Sequence, residues 1–109
     1  MNRTLAPVRP VPTLEELRRR HDEIKRVASG HGARNVRVFG SVVHGAVEAG
    51  SDLDLLVDMG DRRSLLAQAA LQGDLEDVPG CRVHVVTTGG LGCAREDTRE
   101  RIEREAVLL

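Results

Sequence analysis

Val38-Phe39-Gly40-Ser41, the connection Val42 to Ser51, and Asp52-Leu53-Asp54-Leu55-Leu56-Val57 are the stretch on which the fold of this chain turns. Val36 to Phe39 reads as a short strand that Gly40 breaks. Leu53 to Val57 reads as a second strand, apolar throughout yet flanked by acids. Successive strand residues point to opposite sides, so Asp52 and Asp54 project together while Leu53, Leu55 and Val57 face apolar packing. Two neighbouring carboxylates repel each other and call for compensation. A hard divalent cation supplies it, because Mg²⁺ takes oxygen ligands and is commonly held by one or two carboxylates plus substrate phosphates. Asp52 and Asp54 are therefore candidate metal ligands.

Gly40 and Ser41 add the other half of the pattern. A glycine after a strand lets a phosphate approach the main chain closely. The free N–H groups opening a helical turn, here Ser41 to Ala46, favour an anion, and the Ser41 hydroxyl adds a donor. Each feature alone is common, since D-x-D occurs on many exposed strands and Gly-Ser is an ordinary turn dipeptide. A phosphate-gripping loop and a metal-binding pair at the two ends of one connection are a far rarer coincidence.

The remainder of the chain supplies a small α/β frame. Thr13 and Glu16 have capping-box spacing at the start of a helix whose apolar stripe is Leu14, Leu17, Ile24, Val27 and Ala28. Gly30 and Gly32 end that helix, and Arg18, Arg19 and Arg20 fall largely on a solvated face. Asp61 to Ser64 reads as a turn before a helix reaching about Asp77, with Leu65, Leu66, Ala69 and Leu75 as its buried stripe. Arg82 to Val86 is a further strand, and Gly89, Gly90 and Gly92 form a flexible connection. A last helix is expected from Arg95 to Leu108, with Ile102 and Ala106 inward and the pairs Asp97–Arg101 and Glu100–Arg104 on its surface. Residues 1–12, with Pro7, Pro10 and Pro12, read as a flexible lead-in to one domain spanning 13–109. The expected fold class is α/β (α+β): a mixed sheet of about three strands with helices packed on one face.

Composition narrows the function. Hydrophobic residues make up 40% of the chain but Phe39 is the only aromatic, so the core must be built from Leu, Val, Ile and Ala. A formal net charge of −1 offers no basic excess, so no direct nucleic-acid binding is expected and no anionic membrane surface is implied. No window approaches the roughly 20 apolar residues of a membrane span. The N-terminus lacks a signal-peptide pattern, which makes a cytoplasmic location the expectation. Cys81 and Cys93 then read as reduced thiols, and Cys81-x-x-His84 lacks the second ligand pair of a zinc site.

V-F-G-S, ten residues, then D-L-D-L-L-V resembles the G-S-x10-D-x-D signature of the polymerase-β-like nucleotidyltransferase superfamily. The short length, the continuation through S-L-L, the V-x-V-V-T strand and R-I-x-R-E-A are similar to the minimal nucleotidyltransferase group, over about residues 14–109. The resemblance implies the polymerase-β-like fold and a set of expectations about chemistry. Members of the group are typically antitoxins paired with HEPN-domain toxins, which are RNases. Active members transfer AMP from ATP to a tyrosine of the toxin. On that pattern Asp52 and Asp54 hold Mg²⁺, Gly40 and Ser41 grip the ATP triphosphate, and Ser51 helps to fix the loop.

One position departs from the pattern. The superfamily's third carboxylate lies on the later strand within V-D-V, and this chain has Val83-His84-Val85. His84 reads as a general base of near-neutral pKa or as a half-buried strand residue beside Arg82, and in either role it is a poor Mg²⁺ ligand. Asp58 lies about 13 Å along the strand from Asp54, too far to share a metal, and reads as a surface acid. His44 sits in the turn after Ser41, as a phosphate contact or an exposed histidine. Two functions follow: an AMP-transferring antitoxin, or a catalytically degenerate one that neutralises its HEPN toxin by binding.

Overall fold

The computed structural model describes residues 12–45, 52–60, 65–78 and 80–109. The helical entry is set by Thr13: its Oγ1 accepts the Glu16 N–H at 3.1 Å, while Glu16 Oε1 accepts the Thr13 N–H at 3.3 Å. This reciprocal cap starts α1 (Leu14–Arg19). The single helix expected up to Gly30 is in fact two. Arg20 leaves helical geometry at φ −105 and ψ 15, and α2 runs His21–Gly30. The break lets the Arg20 guanidinium donate to the Val78 carbonyl at 2.6 Å, while Arg18, Arg19 and Arg20 all stay exposed.

Four strands, not three, make the sheet: β1 (Arg34–Phe39), β2 (Leu53–Asp58), β3 (Val83–Thr87) and β4 (Val107–Leu108), in the order β3-β2-β1-β4. β1 is antiparallel to both β2 and β4, and β2 is parallel to β3. Between them lie α3 (Ser41–His44), α4 (Leu65–Asp77), α5 (Thr88–Leu91) and α6 (Glu96–Glu105). The last helix therefore stops at Glu105 rather than at Leu108. Val107 pairs with Val38, Leu108 with Arg37, and the Leu109 N–H donates to the Val36 carbonyl at 3.0 Å. β1 offers an unpaired edge, and a Val-Leu-Leu end satisfies it while burying Leu109.

Helices cover both faces of the sheet, which corrects the one-face expectation. The larger core joins Leu53, Leu55 and Val57 to Leu17, Ile24 and Ala28 of the first two helices and Leu71 and Leu75 of α4. A smaller one joins Phe39 and Leu56 to Leu91 of α5 and Ile102 of α6. Leu75 of α4 is buried as expected, but the stripe otherwise differs: Leu71 is buried, Ala69 is exposed and Leu66 is 82% exposed. The glycines after Thr87 are no loose connection either. Thr87 Oγ1 accepts the Gly90 N–H at 2.9 Å and starts α5, which Leu91 anchors in the smaller core. On α6 the ion pairs that form are Arg95–Asp97 at 3.6 Å and Arg99–Glu103 at 3.9 Å, in place of the two expected. Cys81 and Cys93 are both free thiols. Among the described residues no helix is long and apolar enough to cross a membrane.

Candidate active site

Strand register assembles the site. Phe39, Asp54 and His84 lie abreast on β1, β2 and β3, because Phe39 pairs with Asp54 and Asp54 with His84. Alternation then sends Leu53, Leu55 and Val57 into the larger core and leaves the Asp54 carboxylate on the opposite face, at the end of the sheet where α3 begins. Asp52 enters the same strand two residues earlier. The i, i+2 pair that the sequence places on one side is thus formed at the mouth of β2.

Each acid faces a basic residue of β3. His84 Nδ1 donates to Asp54 Oδ1 at 3.3 Å, which leaves Nε2 as the free ring nitrogen. Arg82 Nε stands 3.2 Å from Asp52 Oδ1. That contact is an ion pair without hydrogen-bond alignment, so this buried Asp52 oxygen has no hydrogen-bond donor. Burial pushes the Asp54 carboxyl above the ordinary carboxylate range; the His84 hydrogen bond and charge pull it down, and the Asp52 charge pushes it up.

Gly40 closes the site from the β1 side. It has φ 79 and ψ −149, and a Cβ built there would fall on Asp54 Oδ2. Only glycine brings the main chain this close to the carboxylate. Gly40 is the N-cap of α3, whose first residue is Ser41, and Gly45 ends the turn in left-handed geometry at φ 69. The structure therefore brings Gly40, Asp54 and His84 into contact, with Ser41 and Asp52 one step away in the chain or strand. Ser51 lies outside the described residues.

Two sequence candidates go elsewhere. Asp58 Oδ1 accepts the Gly60 N–H at 2.9 Å and stabilises the turn that ends β2, far from the cradle. His44, at the end of α3, pairs with Glu105 of α6 at 3.3 Å. Arg82 is the site residue that sequence reasoning passed over, although its signal was present: Arg82-x-His84 on a strand parallel to Asp52-x-Asp54 matches base to acid at both positions.

The donor set fits a divalent cation in part. Two carboxylates share one face, one oxygen is buried without a donor, and a glycine leaves room for an anionic ligand. Among the described residues no group of three or more His, Cys, Asp and Glu side chains converges to hold a metal ion. The remaining oxygens would have to come from phosphate and water, which is the usual arrangement for Mg²⁺.

Residues 14–109 match the family model described as a nucleotidyltransferase domain. The chain belongs to this family. Within it, the nucleotidyltransferase domain falls in the minimal nucleotidyltransferase group. It is 36% identical over 90 residues to a Methanocaldococcus jannaschii protein named as a candidate protein adenylyltransferase, covering 79% of this chain and 94% of that one. It is 36% identical over 89 residues to the protein adenylyltransferase MntA of Thermococcus cleftensis, covering 72% and 90%. A solved structure of a candidate minimal nucleotidyltransferase superposes with a TM-score of 0.74 at 41% identity, over 90% of this chain and 97% of that one. A toxin-antitoxin crystal structure with AMP-PNP shares the fold, with a TM-score of 0.65 at 19% identity over 80% and 69% of the two chains.

Proposed function

We propose that this chain is a Mg²⁺-dependent protein adenylyltransferase that acts as an antitoxin, moving AMP from ATP to a tyrosine of a HEPN-type RNase toxin. The observation that carries this reading is the close approach of Gly40 to the Asp54 carboxylate, beside a second acid with a donor-less buried oxygen. Such a cradle suits a metal-bound triphosphate. Similarity to named protein adenylyltransferases over nearly their whole length supports AMP as the transferred group.

Asp52 and Asp54 are the residues that would hold Mg²⁺, which when bound neutralises phosphate charge and aligns the triphosphate. Gly40 and Ser41 bind the phosphates through main-chain N–H groups and the Ser41 hydroxyl, and Ser51 belongs to the same loop by its place in the sequence. The acceptor hydroxyl oxygen attacks the α-phosphorus while the bond to the bridging oxygen of pyrophosphate breaks. The hydroxyl proton goes to a base. His84 supplies one, because Asp54 fixes its Nδ1 as the donor and leaves the Nε2 lone pair free on a half-exposed ring.

One observation favours a second reading, in which the protein neutralises the toxin by binding alone. Arg82 and His84 already engage the two acids without a metal. The two readings share a partner and differ in chemistry. Incubating the purified chain with toxin, ATP and Mg²⁺ and weighing the intact toxin separates them. AMP-sized additions that disappear in Asp52→Ala/Asp54→Ala establish transfer, whereas unmodified but inactive toxin in a stable complex establishes neutralisation by binding.

A further inference from the structure

The Arg101 to Ala106 stretch takes no part in the cradle, yet it ends against it. Glu105 is the last residue of α6 and His44 the last of α3, and Glu105 Oε2 lies 3.3 Å from His44 Nε2. The Glu105 side chain is only 27% exposed, against 56% for Glu103 on the same helix, so it is tucked against its partner rather than dressing the surface.

The carboxylate end of this pair is anchored. Ile102, one turn earlier, packs on Phe39 and Leu56. Val107, two residues later, pairs with Val38. Glu105 is thereby held from both sides to the strand that runs into Gly40. The histidine end is not self-supporting. α3 has four residues and closes on Val43 N–H to Gly40 carbonyl at 3.1 Å and Gly45 N–H to Val42 carbonyl at 3.3 Å. Helices shorter than about 12 residues do not hold themselves in water, so a single turn depends on tertiary ties. Among the described residues these are Val42, buried in the larger core, Val43, packed against it, and His44 on Glu105.

We propose that Glu105 is a positioning residue of the nucleotide site, fixing through His44 the orientation of the Gly40–His44 turn and hence its grip on a triphosphate. The functional half of this inference rests on the nucleotidyltransferase reading, and the structural half does not. Because Glu105 acts on the turn, phosphate-chain binding depends on it more than binding of the adenosine end.

Two measurements on the full chain decide it, with Glu105→Ala, Glu105→Asp, His44→Ala and the Glu105→Ala/His44→Ala double variant. Amide hydrogen exchange without nucleotide reads the turn itself. Val43 and Gly45 are expected to exchange about threefold to fivefold faster in either alanine variant, no faster in the double variant, and nearer wild type in Glu105→Asp. Calorimetric titration then reads the grip. Mg·ATP affinity is expected to fall about threefold to fivefold in Glu105→Ala while AMP affinity stays within about twofold. Thermal melting confirms that each variant is folded. Unchanged exchange at Val43 and Gly45 in Glu105→Ala overturns the inference, as does an equal loss of ATP and AMP affinity. A wild-type chain that binds no Mg·ATP overturns the nucleotide reading and the functional half with it, while the exchange data alone still decide whether Glu105 holds the turn.

Discussion

His84 Nδ1 stands 3.3 Å from Asp54 Oδ1, directly across the parallel ladder between β2 and β3. Where the family pattern leads one to expect a third oxygen ligand, the structure has a nitrogen donor bonded to one of the oxygens a metal would use. Arg82 faces Asp52 two residues earlier along the chain, as an ion pair at 3.2 Å. Each acid already has a partner, and any cation must compete with these contacts.

Replacing His84 by aspartate should therefore change metal binding more than nucleotide geometry. His84→Asp removes the competing donor and adds an oxygen ligand, and Mg²⁺ or Mn²⁺ affinity is expected to rise by about tenfold, a scale typical of changes around a metal site. His84→Ala, which only frees Asp54, should give a smaller gain. Titration calorimetry with Mn²⁺ checks both. If His84→Asp binds metal no better than wild type, Asp52 and Asp54 belong to an ion-pair cluster and not a metal cradle.

Gly40→Ala should cost both stability and nucleotide binding. The position has φ 79 and ψ −149, a region that L residues avoid, and the added Cβ would collide with the Asp54 carboxylate. Strain of this type costs on the order of 1–3 kcal/mol before the collision is counted. Gly73, in the middle of α4, has open space around a Cβ, so Gly73→Ala should instead stabilise by up to about 1 kcal/mol. Urea denaturation of the two variants should move the midpoint in opposite directions, and a Gly40→Ala chain as stable as wild type would deny the close approach.

What the sequence revealed of this site was what lies within a few residues. Asp52 and Asp54 follow from strand alternation, the break after Phe39 from Gly40, and the Thr13 cap from its spacing to Glu16. The parts that stayed hidden depend on register between distant segments. Asp52 meets Arg82 only because the connection through α4 makes β3 parallel to β2, and His44 meets Glu105 only because β4 returns along β1. β4 itself is two residues long, too short for a period, and its Val-Leu pair extends a helical pattern equally well. Burial on both faces was hidden for a related reason: Phe39, Leu91 and Ile102 lie on separate segments of the chain, and only folding gathers them.

The two thiols should separate cleanly. Cys93 is exposed, whereas Cys81 is buried, and burial pushes the Cys81 thiol up, with the charges of Glu76 and then Asp52 adding to the effect. Thiolate is the reactive form, so both access and ionisation slow Cys81. A disulfide-exchange reagent at mildly alkaline pH should titrate Cys93 promptly and Cys81 only as the chain unfolds. The sign of the linkage is also fixed. A thiol whose pKa is raised by folding loses its contribution to stability as pH climbs past the ordinary thiol value, so the chain should weaken on the alkaline side. Equal labelling rates in the native chain would contradict the packing around Cys81.

Asp54→Asn should stabilise the metal-free chain at neutral pH. Burial is the main reason the Asp54 carboxyl sits above its ordinary range, with His84 working against the shift and Asp52 with it. A raised carboxyl pKa means the folded state keeps its proton to higher pH than the unfolded chain does. The stability this provides is fully present below the ordinary carboxylate pKa and is lost as pH rises through the window up to the raised value. Above that window the wild-type chain carries a charge that folding disfavours. The asparagine removes the charge at little change in shape, so the melting temperature in EDTA should rise by about 2–5 °C near neutrality, and the gap should close on the acid side where wild type is protonated. Added Mg²⁺ should reverse the order, because mass action stabilises only the chain that still has its ligand. Calorimetric melts across the acid-to-neutral range, with and without Mg²⁺, read all of this. An asparagine variant that melts below wild type in EDTA would mean that the bond to His84 outweighs the burial of the charge, and that Asp54 is held as a structural ion pair.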